Sequence, residues 1–167
     1  MISLNEREIP NYWQGNCFGC SRTNMHGLQL RFWLSDHGCF TKCSIPDSLC
    51  GLDGLVHGGI IALLLDELAQ WTMIGRLGRM GLTREISVRY LKPVLTNTEI
   101  IVEAQIISQD DKEVVLRSTI HTIDHVLLAE GESKWLLASL STIAKISNVD
   151  ESTLKEFLAK YTKKVEG

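Results

Sequence analysis

The segment Gly58–Ile74 constrains the fold of this chain most strongly, because it is apolar on almost every face yet contains two adjacent acids. A helix that is apolar all round is surrounded by protein and does not lie on a surface. Burial of a lone carboxylate costs free energy or forces its protonation. The sequence therefore predicts a central helix from about His57 to Leu77, in which Asp66 or Glu67 is hydrogen-bonded, faces a cavity or takes part in chemistry.

Residue patterns typical of β-strands lie on both sides of this helix. Two precede it, over 28–34 and 39–45, and four follow it, over 82–91, 98–108, 113–123 and 126–137. The connections between the last four are short, and short connections imply antiparallel pairing. An antiparallel sheet that curls round one apolar helix is an economical way to bury it. We predict an α+β fold with an antiparallel sheet of about six strands wrapped around one long central helix.

The chain is expected to form one domain with an extension at each end, because domains usually contain about 100–200 residues. Residues 1–27 contain scattered proline and glycine and are predicted to be an irregular lead-in. Residues 28–140 form the predicted domain, and 141–167 a helical tail. In the tail, apolar residues recur at the spacing of an amphipathic helix packed on the outside of the domain: Leu154, Phe157, Leu158 and Tyr161.

Charge and composition exclude several classes of partner. The net charge of -3 disfavours a nucleic-acid surface, which normally carries a basic excess. The first residues lack the apolar core of a signal peptide, and no apolar run approaches the roughly 18 residues that span a bilayer. Five cysteines outside a small secreted framework favour free thiols in a reducing compartment. We therefore expect a cytoplasmic protein with no nucleic-acid partner and no membrane span.

The start of the helix has the features of an oxyanion site. Gly58 and Gly59 leave backbone N–H groups unpaired and unscreened, and the helix dipole adds partial positive charge. Asp66 follows His57 by nine residues, which places it about 13.5 Å along the axis and half a turn round. One helix cannot direct both groups at one substrate atom. If both act in one reaction, an antiparallel second copy must supply the other half, which predicts a homodimer with sites at its interface.

Several motifs together carry a family resemblance. They are Gly-Leu-Val-His-Gly-Gly at 54–59, Asp66, Leu82-Thr83, Val-Arg-Tyr-Leu-Lys-Pro at 88–93, and Cys-Phe-Gly-Cys at 17–20 with Gly-Leu-Gln-Leu-Arg-Phe at 27–32. With them the chain resembles hotdog-fold acyl-CoA thioesterases of the phenylacetate-pathway (PaaI-like) type, over roughly residues 17–140.

The resemblance implies hydrolysis of an acyl-CoA thioester to a free carboxylic acid and CoA, in a homodimer or a dimer of dimers (a homotetramer). It assigns the Gly58 N–H to polarising the thioester carbonyl. Asp66 of the partner subunit would serve as general base or nucleophile, and the Thr83 hydroxyl would help to hold the attacking water. A thiolate is a good leaving group, so one activated water and one oxyanion donor are sufficient in principle.

Three further residues are candidates at this site. His57 is included with the catalytic residues, either as the residue that fixes the loop at the helix start or as an acid or base. Gly59 is assigned to substrate binding, although two glycines at this point also permit close helix–sheet packing. Glu67 lies one residue and 100° from Asp66, and it is assigned to substrate binding as the competitor for the role of base.

One departure from the family keeps two other functions open. Many relatives have a polar side chain six residues before the histidine, where this chain has Gly51. Its absence would suit a non-catalytic hotdog domain that binds or senses acyl-CoA. A hotdog hydratase or dehydratase would need a histidine and an acid that converge across a double bond. The only loop candidates are Asp53 and His57, whose spacing differs from the usual one.

The pair Cys17 and Cys20 suggests a zinc or redox site. The remaining cysteines, Cys39, Cys43 and Cys50, do not form a second pair with standard spacing. We therefore predict no metal and no cofactor.

Overall fold

The computed structural model describes residues 7–162. The first six residues of the predicted lead-in and residues 163–167 of the predicted tail lie outside this range. Seven strands and three α-helices make up the described part. The strands are β1 (Arg7–Ile9), β2 (Phe32–Leu34), β3 (Gly38–Ser44), β4 (Leu82–Tyr90), β5 (Glu99–Gln109), β6 (Glu113–Thr122) and β7 (Leu127–Leu136), and the helices are α1 (Gly58–Leu77), α2 (Leu140–Ile146) and α3 (Glu151–Thr162).

The strands form one sheet in the order β1-β2-β3-β5-β6-β7-β4, and all neighbours are antiparallel. β4 is therefore the last strand at one edge, although the chain enters it directly from α1. The α+β prediction is confirmed, with seven strands in place of about six.

Helix α1 lies against the sheet and supplies much of the core. Its side chains Leu64, Leu65 and Leu68 are fully buried. Trp71 stacks on Phe32 of β2 with a centroid separation of 4.6 Å. The helix ends at Gly78, whose φ of 60° is left-handed and whose N–H donates to the Ile74 carbonyl, an ending that favours glycine. The predicted helix is confirmed to within one residue at its start.

The lead-in differs from the sequence prediction in two ways. Residues 7–9 form an edge strand that pairs with β2, where an irregular segment was expected. The strand predicted over 28–34 begins only at Phe32. Gln29 has a φ of 50°, and the Leu28 and Leu30 N–H groups donate to carbonyls of the 17–20 loop. This segment therefore pairs with the lead-in before it joins the sheet.

The tail packs on the outer end of the domain. α3 buries the four apolar residues singled out by their spacing, Leu154, Phe157, Leu158 and Tyr161. Phe157 and Tyr161 meet Trp71 of α1 edge-on, with centroids 6.4 and 6.0 Å apart. The short helix α2 precedes α3 and was not predicted separately. No helix within residues 7–162 has the length and apolar character required to span a bilayer.

Candidate active site

The start of α1 is fixed by the loop that precedes it. The His57 N–H donates to the Leu49 carbonyl, and the Val56 N–H donates to the Val94 carbonyl. The His57 side chain caps the helix, because its Nδ1 accepts the Gly59 N–H at 2.9 Å. This contact is the one expected of a histidine that orients the helix start.

Gly58 is the first helical residue, so its N–H has no acceptor within the helix. Its carbonyl oxygen accepts a hydrogen bond of 3.0 Å from the Tyr90 hydroxyl, at the end of β4. Tyr90 was not singled out as a site residue, although it lies within the motif at 88–93. A Cβ built at Gly58 would lie 3.6 Å from the Tyr90 ring, which is an ordinary contact.

Asp66 meets Thr83 on the opposite end of β4. The Thr83 hydroxyl donates to Asp66 Oδ1 at 2.9 Å. Asp66 is half-buried in α1, whereas Thr83 is exposed. Burial raises the pKa of Asp66 above its usual range, and the hydrogen bond from Thr83 lowers it in part. The structure thus brings together two of the predicted catalytic residues.

The two ends of this arrangement lie apart within one chain. Gly58 and Asp66 are eight positions apart on α1, which corresponds to about 12 Å along the axis. Each is tied to a different end of β4, Gly58 through Tyr90 and Asp66 through Thr83. Within one chain, Gly58 and Asp66 therefore lie too far apart to contact the same substrate atom.

Gly51 lies beside the helix start. A Cβ built on it would be 3.4 Å from His57 Cα and 3.6 Å from His57 Cδ2. A polar side chain at this position, which the family resemblance led us to expect, would lie against the N-cap. Here that space carries no side chain.

Glu67 contacts the lead-in segment. Its Oε1 accepts a hydrogen bond of 3.2 Å from Trp71 Nε1, and Cys17 Sγ lies 3.6 Å from both carboxylate oxygens. Burial raises the pKa of Glu67 to about 7. Adjacent residues on a helix point about 100° apart, so the Glu67 and Asp66 side chains face different neighbours. The substrate-binding role of Glu67 stays a prediction.

Cys17 and Cys20 form a cluster with Glu67, in which the donor atoms of all three lie within 4.8 Å of one another. A hydrogen bond from the Cys20 thiol lowers the pKa of Cys17, against the effect of burial. The same hydrogen bond and burial raise the pKa of Cys20. Sequence reasoning missed this cluster because it looked for a second cysteine pair. The third member is instead an acid in the middle of an apolar helix.

Comparison with known proteins gives this site a family context. Residues 53–129 match the model of the Thioesterase superfamily. This span covers the helix start, Asp66, Thr83 and Tyr90. None of the curated proteins matches the sequence.

Solved structures share the fold. One thioesterase superfamily protein is 24% identical with a TM-score of 0.63, and the match covers 68% of this chain and 56% of that one. This chain thus spans little more than half of that protein. A hypothetical thioesterase from Streptococcus pneumoniae TIGR4, solved with coenzyme A, is 19% identical with a TM-score of 0.59. The match covers 62% of this chain and 80% of that one. The smu.793 protein of Streptococcus mutans UA159, bound to acetyl CoA, is 18% identical with a TM-score of 0.57. The match covers 60% of this chain and 80% of that one.

At these identities the structural likeness establishes the fold. Residues 53–129, a little under half of the chain, match the Thioesterase superfamily model, and the solved structures that share the fold are hotdog proteins of that superfamily.

Proposed function

We propose that this protein hydrolyses an acyl-CoA thioester to a free carboxylic acid and CoA, as a thioesterase of the PaaI-like type. The observation that carries the proposal is the Asp66 carboxylate, half-buried in an apolar helix and hydrogen-bonded to the Thr83 hydroxyl. A buried acid with a raised pKa, held by one hydroxyl, suits a proton acceptor. CoA and acetyl CoA bound to the two Streptococcus proteins support acyl-CoA as the ligand.

In the proposed reaction, Asp66 takes a proton from a water molecule whose oxygen attacks the thioester carbonyl carbon. The Gly58 N–H stabilises the negative charge that develops on the carbonyl oxygen. The carbon–sulfur bond then breaks, and the proton passes to the CoA sulfur. In the alternative route, the Asp66 carboxylate attacks the carbonyl carbon and the carbon–sulfur bond breaks to release the CoA thiolate. Water then hydrolyses the resulting anhydride, which regenerates Asp66 and supplies the proton that the thiolate takes up. Thr83 orients the Asp66 carboxylate in both routes.

The residue types at this site have a parallel in the Streptococcus pneumoniae protein. It was also solved with one aspartate replaced by alanine, and separately with one threonine replaced by alanine. In this chain an aspartate and a threonine are hydrogen-bonded to each other, at Asp66 and Thr83.

We further propose that the active site is assembled from two subunits through β4. As the last strand of the sheet, β4 has an outer edge whose N–H and C=O groups have no strand partner within the described chain. Large apolar side chains are exposed close to it, including Tyr90 at 55% and Leu91 at 42%. Such an edge is suited to pairing with a second copy.

Antiparallel pairing of β4 with its copy would complete the site. With residues 86 and 87 at the centre, Thr83 of one subunit stands opposite Tyr90 of the partner subunit. Within each chain, Thr83 is hydrogen-bonded to Asp66, and Tyr90 is hydrogen-bonded to Gly58. The base of one chain therefore approaches the oxyanion donor of the other. Two such sites arise per dimer, and a dimer of dimers would hold four.

His57 and Gly59 have supporting roles in this proposal. The His57 contact with the Gly59 N–H supports the role of His57 in fixing the oxyanion site, and Gly59 would border the bound carbonyl. Five free cysteines suit the reducing cytoplasm, which we retain as the proposed location.

A non-catalytic acyl-CoA-binding domain is the second candidate. Gly51 favours it, because a side chain at this position would lie beside His57 and none is available to assist the carbonyl. Both candidates would bind acyl-CoA, but only the thioesterase would hydrolyse it.

Thiol release from acetyl, medium-chain, long-chain and aryl-acetyl CoA esters tests the proposal. We expect turnover with at least one ester, and Asp66→Asn should lower kcat by about 10²–10⁴-fold, the usual contribution of a general base. Asp124→Asn, in an exposed turn, is the matched control and should retain wild-type turnover. A blank without substrate corrects for the protein's own thiols. Binding of the esters without turnover would select the second candidate.

Heterodimers test whether the site is shared. Proline is compatible with the first helical position and removes the N–H of residue 58, so Gly58→Pro should inactivate the oxyanion donor. A heterodimer of the Gly58→Pro and Asp66→Asn chains, isolated with two affinity tags, contains one intact site and one doubly altered site. Its activity should be about half that of wild type. Activity no higher than that of either parent homodimer would contradict the shared site.

The pH profile tests the contact between Thr83 and Asp66. Loss of the hydroxyl in Thr83→Ala should raise the pKa of Asp66 further, because burial then acts without the opposing hydrogen bond. As the pH is lowered, the Asp66 carboxylate would then become protonated at a higher pH than in wild type. The acid limb of the kcat/KM profile should therefore shift to higher pH. Thr83→Ser should restore the wild-type limb. An identical acid limb in all three proteins would remove this contact from the mechanism.

A further inference from the structure

Two cysteines of the lead-in lie against a carboxylate of α1. Cys17 Sγ is 3.6 Å from Oε1 and 3.6 Å from Oε2 of Glu67, across 50 positions of sequence. Cys20 completes the group, since one donor atom from each of the three residues lies within 4.8 Å of the others. Two sulfurs and one carboxylate therefore surround a common point.

The distance between Cys17 Sγ and the Glu67 oxygens matches the sulfur–oxygen separation around a tetrahedral zinc ion. Zinc binds sulfur at about 2.3 Å and carboxylate oxygen at about 2.0–2.2 Å, so the tetrahedral angle places these donors about 3.6 Å apart. The Cys17–Glu67 separation has this value. Two thiolates select zinc-like ions over magnesium or calcium, which prefer oxygen donors.

The loop that carries the cysteines is already folded. Backbone hydrogen bonds close it on itself and tie it to the segment before β2: Ser21 N–H to Cys17 O at 3.1 Å, Leu28 N–H to Phe18 O at 2.8 Å, and Leu30 N–H to Gly19 O at 3.0 Å. Binding would therefore require little ordering of the backbone, which reduces its entropic cost.

Gly19 allows this loop to approach the carboxylate. A Cβ built on Gly19 would lie 2.6 Å from the carboxyl carbon and 2.6 Å from Oε2 of Glu67. Any side chain at this position would displace Glu67 or the loop. The glycine between the two cysteines thus permits the close contact with Glu67.

The carboxylate is oriented but lacks a cationic partner in the described chain. Trp71 Nε1 donates to Glu67 Oε1 at 3.2 Å, as an outer-shell donor holds a ligand carboxylate in place. None of the salt bridges found within residues 7–162 involves Glu67. A bound cation would supply the missing positive charge.

We propose that Cys17, Cys20 and Glu67 bind a thiophilic divalent cation of the zinc class, with water as the fourth ligand. Both sulfurs bind the ion as thiolates, so binding releases the protons that the two cysteines still carry. The ion clamps the lead-in to α1 one residue from Asp66 and thereby fixes this side of the helix. This role is independent of the acyl substrate, and it reverses the expectation of no metal that the single cysteine pair suggested.

Metal content of the full-length protein tests the proposal. The protein is reduced with a phosphine, equilibrated with zinc sulfate, passed through a desalting column and assayed for zinc by atomic emission. We expect about one equivalent per chain in wild type and less than about one tenth in Cys17→Ser or Cys20→Ser. Cys43→Ser, at a half-buried cysteine on β3, is the matched control and should retain zinc.

Cobalt provides a readout that needs no variant to fold. Co²⁺ added to the reduced wild-type protein should give a thiolate-to-metal charge-transfer absorption in the near ultraviolet, which zinc then displaces. Absence of this absorption would overturn the proposal, as would zinc retention that is the same in all three cysteine variants. A reduced wild-type protein that retains no zinc would overturn it as well.

Discussion

The enclosure of α1 is the constraint on which the rest of the structure depends. The helix is apolar on most faces, so the sheet covers one side of it while α3 and the lead-in cover its far end. Enclosure carries two adjacent carboxylates out of bulk water, and each then needs a polar partner. Asp66 has Thr83 of β4, and Glu67 has Trp71 and the cysteine loop.

The environment of each carboxylate separates the proposed roles of the two acids. Asp66 accepts a hydrogen bond from the exposed Thr83 hydroxyl near the start of β4. This strand is the edge that we propose a second subunit covers. Glu67 is turned toward the lead-in, where two sulfurs approach it. A single helix register thus places the proposed base on one side and the proposed ion ligand on the other. The same burial raises the pKa of both groups, and only their neighbours distinguish them.

Local patterns predicted the helix and six of the strands, because periodicity acts over a few residues, whereas Asp66 and Thr83 were named as site residues through the family resemblance. The same patterns missed β1, which is held in place by pairing with β2. They extended β2 too far, because the left-handed backbone at Gln29 has no signal in its residue type. They also missed the contact of Tyr90 with Gly58 and the cysteine cluster with Glu67, since both join segments distant in sequence.

The central claim is that a base from one chain and an oxyanion donor from another meet at one thioester. A crystal structure of Asp66→Asn with a non-hydrolysable acyl-CoA analogue tests it most directly. The account predicts that the analogue's carbonyl oxygen accepts the Gly58 N–H of one subunit while residue 66 of the partner subunit faces the carbonyl carbon. An analogue bound away from both groups, or held by both groups of a single chain, would contradict it.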